Sequence, residues 1–212
     1  MIANKYSNIE QGSEAWGKIR SGKLTASRVA DMLASIKSGE SASRKNLRTD
    51  LVIERLTQSK SESFTNSAMQ WGTETEPQAR AAYEIHTGNF VDQIAFVDHP
   101  TIKNFGCSPD GLVGLDGLIE IKCPNTATHI DYIEALKPPR KYVIQMMSQM
   151  SCTGRAWCDF VSFDPRLPDG LNLFVMRVAR DAEMIEQIES EAIKFLAEVE
   201  DKYQELSKKV QL

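Results

Sequence analysis

The chain has 212 residues, 42% of them hydrophobic and 25% charged, with a formal net charge of −4. That composition excludes a disordered or fibrous chain and describes a globular protein of about one generous domain with a sizeable core. The negative balance excludes a protein that coats nucleic acid with its whole surface, since phosphate neutralisation dominates such binding, but it leaves room for a local basic groove.

No stretch of about eighteen apolar residues is present, so no membrane span is expected. The opening MIANKYSNIEQG lacks the apolar centre of a signal peptide. Cys107, Cys123, Cys152 and Cys158 form no CxxC pair and no zinc spacing, which predicts reduced thiols and a cytoplasmic protein.

In chain order, SEAWGKIRSGKLTASRVADMLA (13–34) predicts two short helices around Gly22, the second capped by Thr25 or Ser27. Residues 37–43 form a small polar loop. NLRTDLVIERLTQ (46–58) has helical spacing, and the Ser-rich SKSESFTNS (59–67) is a loop. A helix over about 68–86 stops at Gly88, and Pro77 implies that it starts or bends there. FVDQIAFV (90–97) alternates as a strand, and LVG–LDG–LIEIK (112–122) reads as two strands about a turn. YVIQMMSQM (142–150) is a helix with a buried face, followed by strands at AWCDFVSF (156–163) and LNLFVMRV (171–178). From 181 to 212, apolar residues at 185, 188, 192, 195, 199, 203, 206 and 210 suit either a coiled-coil seam or a helix laid along its own domain's core. The order predicts an α/β or α+β domain.

The chemistry gathers in CSPDGLVGLDGLIEIKCP (107–124). On a strand, Glu120 and Lys122 share one face while Ile121 and Cys123 take the other. With a turn near Leu115–Asp116–Gly117, Asp110 falls close to both on the neighbouring strand, where facing Cβ atoms are about 5 Å apart. A connection of three or five residues pairs Asp110 with Glu120's face and one of four does not, unless Gly111 bulges, so the register stays open. Two carboxylates and the Ile121 carbonyl are hard oxygen ligands suited to Mg²⁺, and Lys122 would orient or deprotonate an attacking water. The same residues also suit a plain turn and a solvated strand face. His86, His99 and His129 are scattered and read as surface or structural; GxSxG, P-loop and GxGxxG motifs are absent.

Four stretches in order, SEAWGKIRSGKLTASRVADML (13–33), MQWGTETEPQARAAYE (69–84), CSPDGLVGLDGLIEIKCP and YVIQMMSQMS (142–151), together resemble the phage lambda exonuclease, or YqaJ-type viral recombinase, family of the PD-(D/E)xK nucleases. The resemblance spans about residues 11–180. It implies a single nuclease domain with an αβββαβ core over about 66–180, an N-terminal helical 5′-phosphate-binding part (11–58) and a C-terminal helix (181–212). It implies digestion of one strand of duplex DNA from 5′ to 3′ with two Mg²⁺ ions per site, Mn²⁺ serving as a substitute. It further implies a ring-shaped homotrimer, a single-strand annealing protein as partner and a phage or prophage origin. Carried over by position, Asp110, Glu120 and the Ile121 carbonyl hold metal, Lys122 serves the nucleophilic water, and Glu76 and Gln145 complete the catalytic pocket. Arg20, Thr25, Ser27 and Ser108 match the 5′-phosphate pocket, and Trp16 an aromatic near the DNA end. An arginine fork, hydroxyls and a helix start near Thr25 together make a sound anion site. Without the resemblance, Thr25 or Ser27 is a plain helix cap and Trp16 a core residue; Glu76 is then a first-turn acid and Gln145 a polar helix position. Two rivals stay open: an endonuclease on the same core, and a catalytically silent DNA-end-binding module.

Overall fold

The computed structural model describes residues 5–59 and 67–210, so the predicted loop at 59–67 lies almost wholly outside the described residues. After β1 (Lys5–Tyr6), Ser13 caps α1 (Glu14–Arg20), its hydroxyl accepting from the Trp16 amide. Past Gly22, whose φ is +68°, β2 (Leu24–Thr25) leads through a 3-10 turn, Ala26–Arg28, into α2 (Val29–Met32). Two helices thus flank Gly22 as expected, but a short strand separates them. Thr25 occupies the cap position without making a side-chain cap bond, which corrects the expected cap. Its hydroxyl lies 3.3 Å from that of Ser27 instead.

Ser41 caps α3 (Ala42–Thr57). The following helix, α4 (Ser67–Thr87), begins well before Pro77 and runs through it. A helical proline forfeits one N–H bond and crowds the carbonyl four residues back. Here that residue is Thr73, which borders surface hollows, while buried Thr75, Ala79 and Tyr83 hold the helix on the sheet. The Gly88 amide donates to the Glu84 carbonyl at 2.9 Å and ends the helix as predicted.

β3 (Val91–Asp92), β4 (Phe96–Asp98), β5 (Phe105–Cys107), β6 (Gly111–Val113) and β7 (Gly117–Lys122) follow. Next come α5 (Thr126–Ala135), α6 (Arg140–Thr153), β8 (Trp157–Phe163), β9 (Leu173–Ala179) and α7 (Ala182–Val210). The strands form a four-stranded sheet, β1-β4-β5-β2, and a five-stranded sheet, β3-β6-β7-β8-β9. The single strand expected over 90–97 is therefore two, one in each sheet. Ile94 through Val97 are all buried despite the alternating sequence, because the chain there crosses between sheets.

This is an α+β fold. In the larger sheet, α4, the antiparallel strands β3, β6 and β7, then α6 and β8 succeed one another in the αβββαβ order. β8 runs parallel to β7, a pairing that demands the long crossover supplied by α5 and α6. One core unites α2, α3, α6 and α7 with Leu118, Cys158 and Phe160; another, with Ala79 and Tyr83, covers Ile119 and Ile121. β7 is thus sandwiched.

Ile185, Ile188, Ala192, Phe195 and Val199 of α7 are buried in the first core, so its apolar seam serves this chain's own packing and not a coiled coil. Arg44 and Arg48 of α3 bind Glu198 of α7, and Arg55 binds Glu200. No described helix is long and apolar enough to cross a membrane.

Gly106, beside β4, shows how closely the small sheet is built. A Cβ there would sit 2.4 Å from Phe96 Cζ and 2.8 Å from the Val97 carbonyl. Gly106→Ala is expected to cost about 1–3 kcal/mol, as overpacking does, and to lower the urea midpoint at unchanged slope.

Candidate active site

β6 and β7 are joined by a three-residue connection, Gly114–Leu115–Asp116, with Gly111 facing Ile119 and Val113 facing Gly117. Gly114 has φ of +52°, a left-handed conformation that glycine adopts freely. That odd-numbered connection settles the register: continued by one residue, the ladder sets Asp110 opposite Glu120. The Asp110 carboxylate accepts the Ile121 amide at 2.6 Å. Leu118, Glu120 and Lys122 face α6, while Ile119 and Ile121 face α4.

Glu120 is 0% exposed. Its Oε1 accepts from Gln145 Nε2 at 2.6 Å and its Oε2 from Gln149 Nε2 at 2.6 Å, both amides coming from α6. Lys122 Nζ pairs with Oε1 and lies 5.2 Å from the centre of the Tyr142 ring. Asp110 is held well above the usual carboxylate range, by burial first and then by the charges of Glu120 and Glu76, with Lys122 opposing. Lys122 is shifted up: burial works against its charge, but Glu120 and Asp110 outweigh it. Glu76, on α4, receives a bond from Arg80 Nη2 at 2.5 Å.

Glu76, Asp110, Ile121, Lys122, Gln145 and Ser27 line one open cleft of about 580 Å³. Burial and the neighbouring carboxylates favour the protonated form of Asp110, a cost of ionisation that a divalent cation relieves. Among the described residues no three His, Cys, Asp or Glu side chains converge as a cage. Two carboxylates, Asp110 and Glu120, and the Ile121 carbonyl are the residues that could hold a cation keeping several waters.

The proposed phosphate residues sit beside this cleft. β2 pairs with β5 so that Thr25 faces Gly106, two residues before Ser108. Trp16 Nε1 lies 3.0 Å from Ser108 Oγ and 3.0 Å from the Ala95 carbonyl, and Ser108 Oγ donates to that carbonyl at 2.7 Å. The Arg20 guanidinium stacks 3.8 Å from the Trp16 ring centre. Its Nε is buried without a hydrogen-bond partner among the described residues. Burial pushes Arg20 down to about 10, with Glu54 opposing, so it stays charged at neutral pH.

The histidines hold structure, as expected where they are buried. His99 meets Ser151 at 2.9 Å, and His129 meets Ser162 at 2.7 Å and the Leu171 carbonyl at 2.8 Å. All four cysteines are free thiols. Gln149, Arg80 and Tyr142 escape the sequence reading. The signal for the first two is a spacing of four, Gln145 to Gln149 and Glu76 to Arg80, which puts each pair on one helix face.

The family model described as a YqaJ-like viral recombinase domain matches residues 15–156. The crystal structure of an alkaline exonuclease, LHK-Exo, from Laribacter hongkongensis superposes with a TM-score of 0.88 at 51% identity, covering 94% of this chain and 98% of that one. The same enzyme in complex with dAMP matches equally, again with a TM-score of 0.88, 51% identity, and 94% and 98% coverage. A phage-related exonuclease from Haemophilus somnus 129PT shares the fold, with a TM-score of 0.68 at 18% identity over 89% of this chain and 96% of that one. No curated protein matches.

Proposed function

The chain belongs to the family of YqaJ-like viral recombinase domains and is 51% identical to an alkaline exonuclease, and from that premise we propose that it digests one strand of duplex DNA from 5′ to 3′ in a Mg²⁺-dependent reaction, leaving 3′ single strands for recombination by annealing. The observation that carries the reading is the hairpin register, with Asp110 bound to the Ile121 amide at 2.6 Å opposite buried Glu120.

Asp110, Glu120 and the Ile121 carbonyl would hold the cation. When bound, it supplies a Lewis acid for the phosphoryl oxygen and a water of lowered pKa. Gln145 and Gln149 fix both oxygens of Glu120 and so keep that carboxylate from turning. Lys122 stays protonated beside two carboxylates; in that form it orients water and offsets charge on the phosphate. Arg20, Thr25, Ser27 and Ser108 would take the terminal 5′-phosphate, with Trp16 beside the DNA end.

The proposal extends to two metal ions per site, Mn²⁺ as a substitute, a homotrimeric ring around the duplex and an annealing-protein partner. The test is digestion of end-labelled linear duplex beside covalently closed duplex, each with Mg²⁺ and with chelator, on protein sized by light scattering. Release of 5′ nucleotides from linear DNA alone, only with metal, by a trimer is expected. Cutting of the closed circle would make the protein an endonuclease, and no release in Mg²⁺ a binding module.

A further inference from the structure

Arg80 lies one helical turn after Glu76 on α4, and its side chain is only 14% exposed. Its Nη2 donates to Glu76 Oε1 at 2.5 Å and, more weakly, to the Asp110 carbonyl at 3.4 Å. With its amide oxygen turned to the guanidinium, Gln93, between β3 and β4, accepts from Nη1 at 2.9 Å and Nη2 at 3.2 Å. One planar fork thus ties α4, the start of β6 and the β3–β4 link, a geometry that a lysine's point charge does not reproduce. Among the described residues no donor reaches the second oxygen of Glu76, whose side chain borders the cleft with Asp110 and Lys122. Arg80 Nε, meanwhile, is buried with no partner among the described residues.

We propose that Arg80 is the positioning residue for Glu76: it fixes one carboxylate oxygen and so aims the other into the cleft, toward the cation and its waters. This rests on reading the cleft as a metal-dependent nuclease site.

The probe is Mn²⁺ alone, titrated calorimetrically into wild type, Arg80→Gln, Arg80→Lys, Glu76→Gln and the double variant Arg80→Gln/Glu76→Gln. Melting is followed without metal, and kcat and KM are measured on linear duplex. Arg80→Gln is expected to weaken Mn²⁺ binding by about 10–100-fold, as loss of an outer-shell partner does, and to lower kcat with little change in KM. Arg80→Lys should recover little of either. In the Glu76→Gln background the Arg80 change should add less than about twofold, because the two residues act as one unit. An equal loss with and without the Glu76 carboxylate would overturn the proposal, as would intact Mn²⁺ binding with a lowered melting point. Asp110→Ala is the separate control. If it leaves Mn²⁺ binding intact, the reading of the cleft itself fails, independently of what Arg80 does.

Discussion

Asp110→Asn is expected to abolish cleavage and, in the same molecule, to raise the melting temperature of the metal-free protein. On the proposed reading of the cleft, activity falls because the variant loses a charged oxygen ligand. Stabilisation of the transition state by a metal amounts to several kcal/mol, so at about 1.4 kcal/mol per decade the loss exceeds roughly a thousandfold. Stability rises for a different reason. The Asp110 carboxyl is held above its ordinary range by burial, then by the charges of Glu120 and Glu76, with Lys122 only partly opposing. The sign follows from linkage. Unfolded, the group loses its proton near pH 4; folded, it holds the proton to higher pH, so ionising it costs folded-state stability as pH rises through that window. An amide carries no such cost. Its oxygen still accepts the Ile121 amide that Asp110 binds at 2.6 Å, and its NH₂ group offers donors to the neighbouring carboxylates. Each kcal/mol relieved raises the midpoint of a chain this size by about 2–4 °C. The measurement is melting in chelator at pH 5 and pH 8, with the gain larger at pH 8. Adding Mg²⁺ should then stabilise the wild type and not the variant. A variant no more stable than wild type at pH 8 would remove the idea that this cluster is frustrated without its cation.

The second large effect is expected at Arg20. An exonuclease that advances by one nucleotide must set each scissile bond in the same register, and a pocket for the terminal 5′-phosphate supplies the ruler. Arg20 is charged, stacked 3.8 Å from the Trp16 ring centre, and leaves its Nε buried without a partner among the described residues. Trp16 in turn reaches Ser108 Oγ at 3.0 Å. A hydrogen bond to a charged group contributes about 1.5–3 kcal/mol, which is about ten- to a hundredfold in preference for phosphorylated ends. Arg20→Ala should slow digestion of 5′-phosphorylated duplex by that factor and 5′-hydroxyl duplex much less. Arg20→Lys should restore little, since it lacks the fork. Because Arg20 is largely buried, the variants will also lose packing, so the readout is the ratio of initial rates on the two ends at one fixed salt concentration. Equal slowing of both would make Arg20 a general or structural residue.

What the sequence reveals of this site follows from where local rules suffice. Strand periodicity alone puts Glu120 and Lys122 on one face, and they are there. Asp110 is different, because its pairing depends on the length of a turn whose end points a sequence does not mark. The left-handed Gly114 closes the connection at three residues. The α5 helix goes unread although Asn125 caps it, its side chain accepting the Thr128 amide at 2.9 Å. Its ten residues bury only His129 fully, so no apolar stripe announces it. Pro77 misleads in part: a local rule allows a helix start there, and the packing of Ala79 and Tyr83 on the sheet carries the helix through from Ser67. The alternation over 90–97 is genuine in the sequence, but it cannot report that its two ends belong to different sheets.

The chain's net charge of −4 has an uneven origin. Within α7 stand eight acidic and four basic residues, so this one helix carries the entire surplus and the rest of the chain is balanced. Glu183, Glu186, Asp201 and Glu205 are exposed along it, and none of its residues lines the cleft that holds Asp110. The surplus of negative charge is thus confined to the C-terminal helix, part of it met by Arg44, Arg48 and Arg55 of α3 at Glu198 and Glu200. A polyanion is repelled most by the surface that carries the surplus, so α7 is the part of the protein least suited to meet DNA. The acidity that seems to count against DNA belongs to one helix, and the remaining elements, the Asp110 hairpin among them, together carry no net charge.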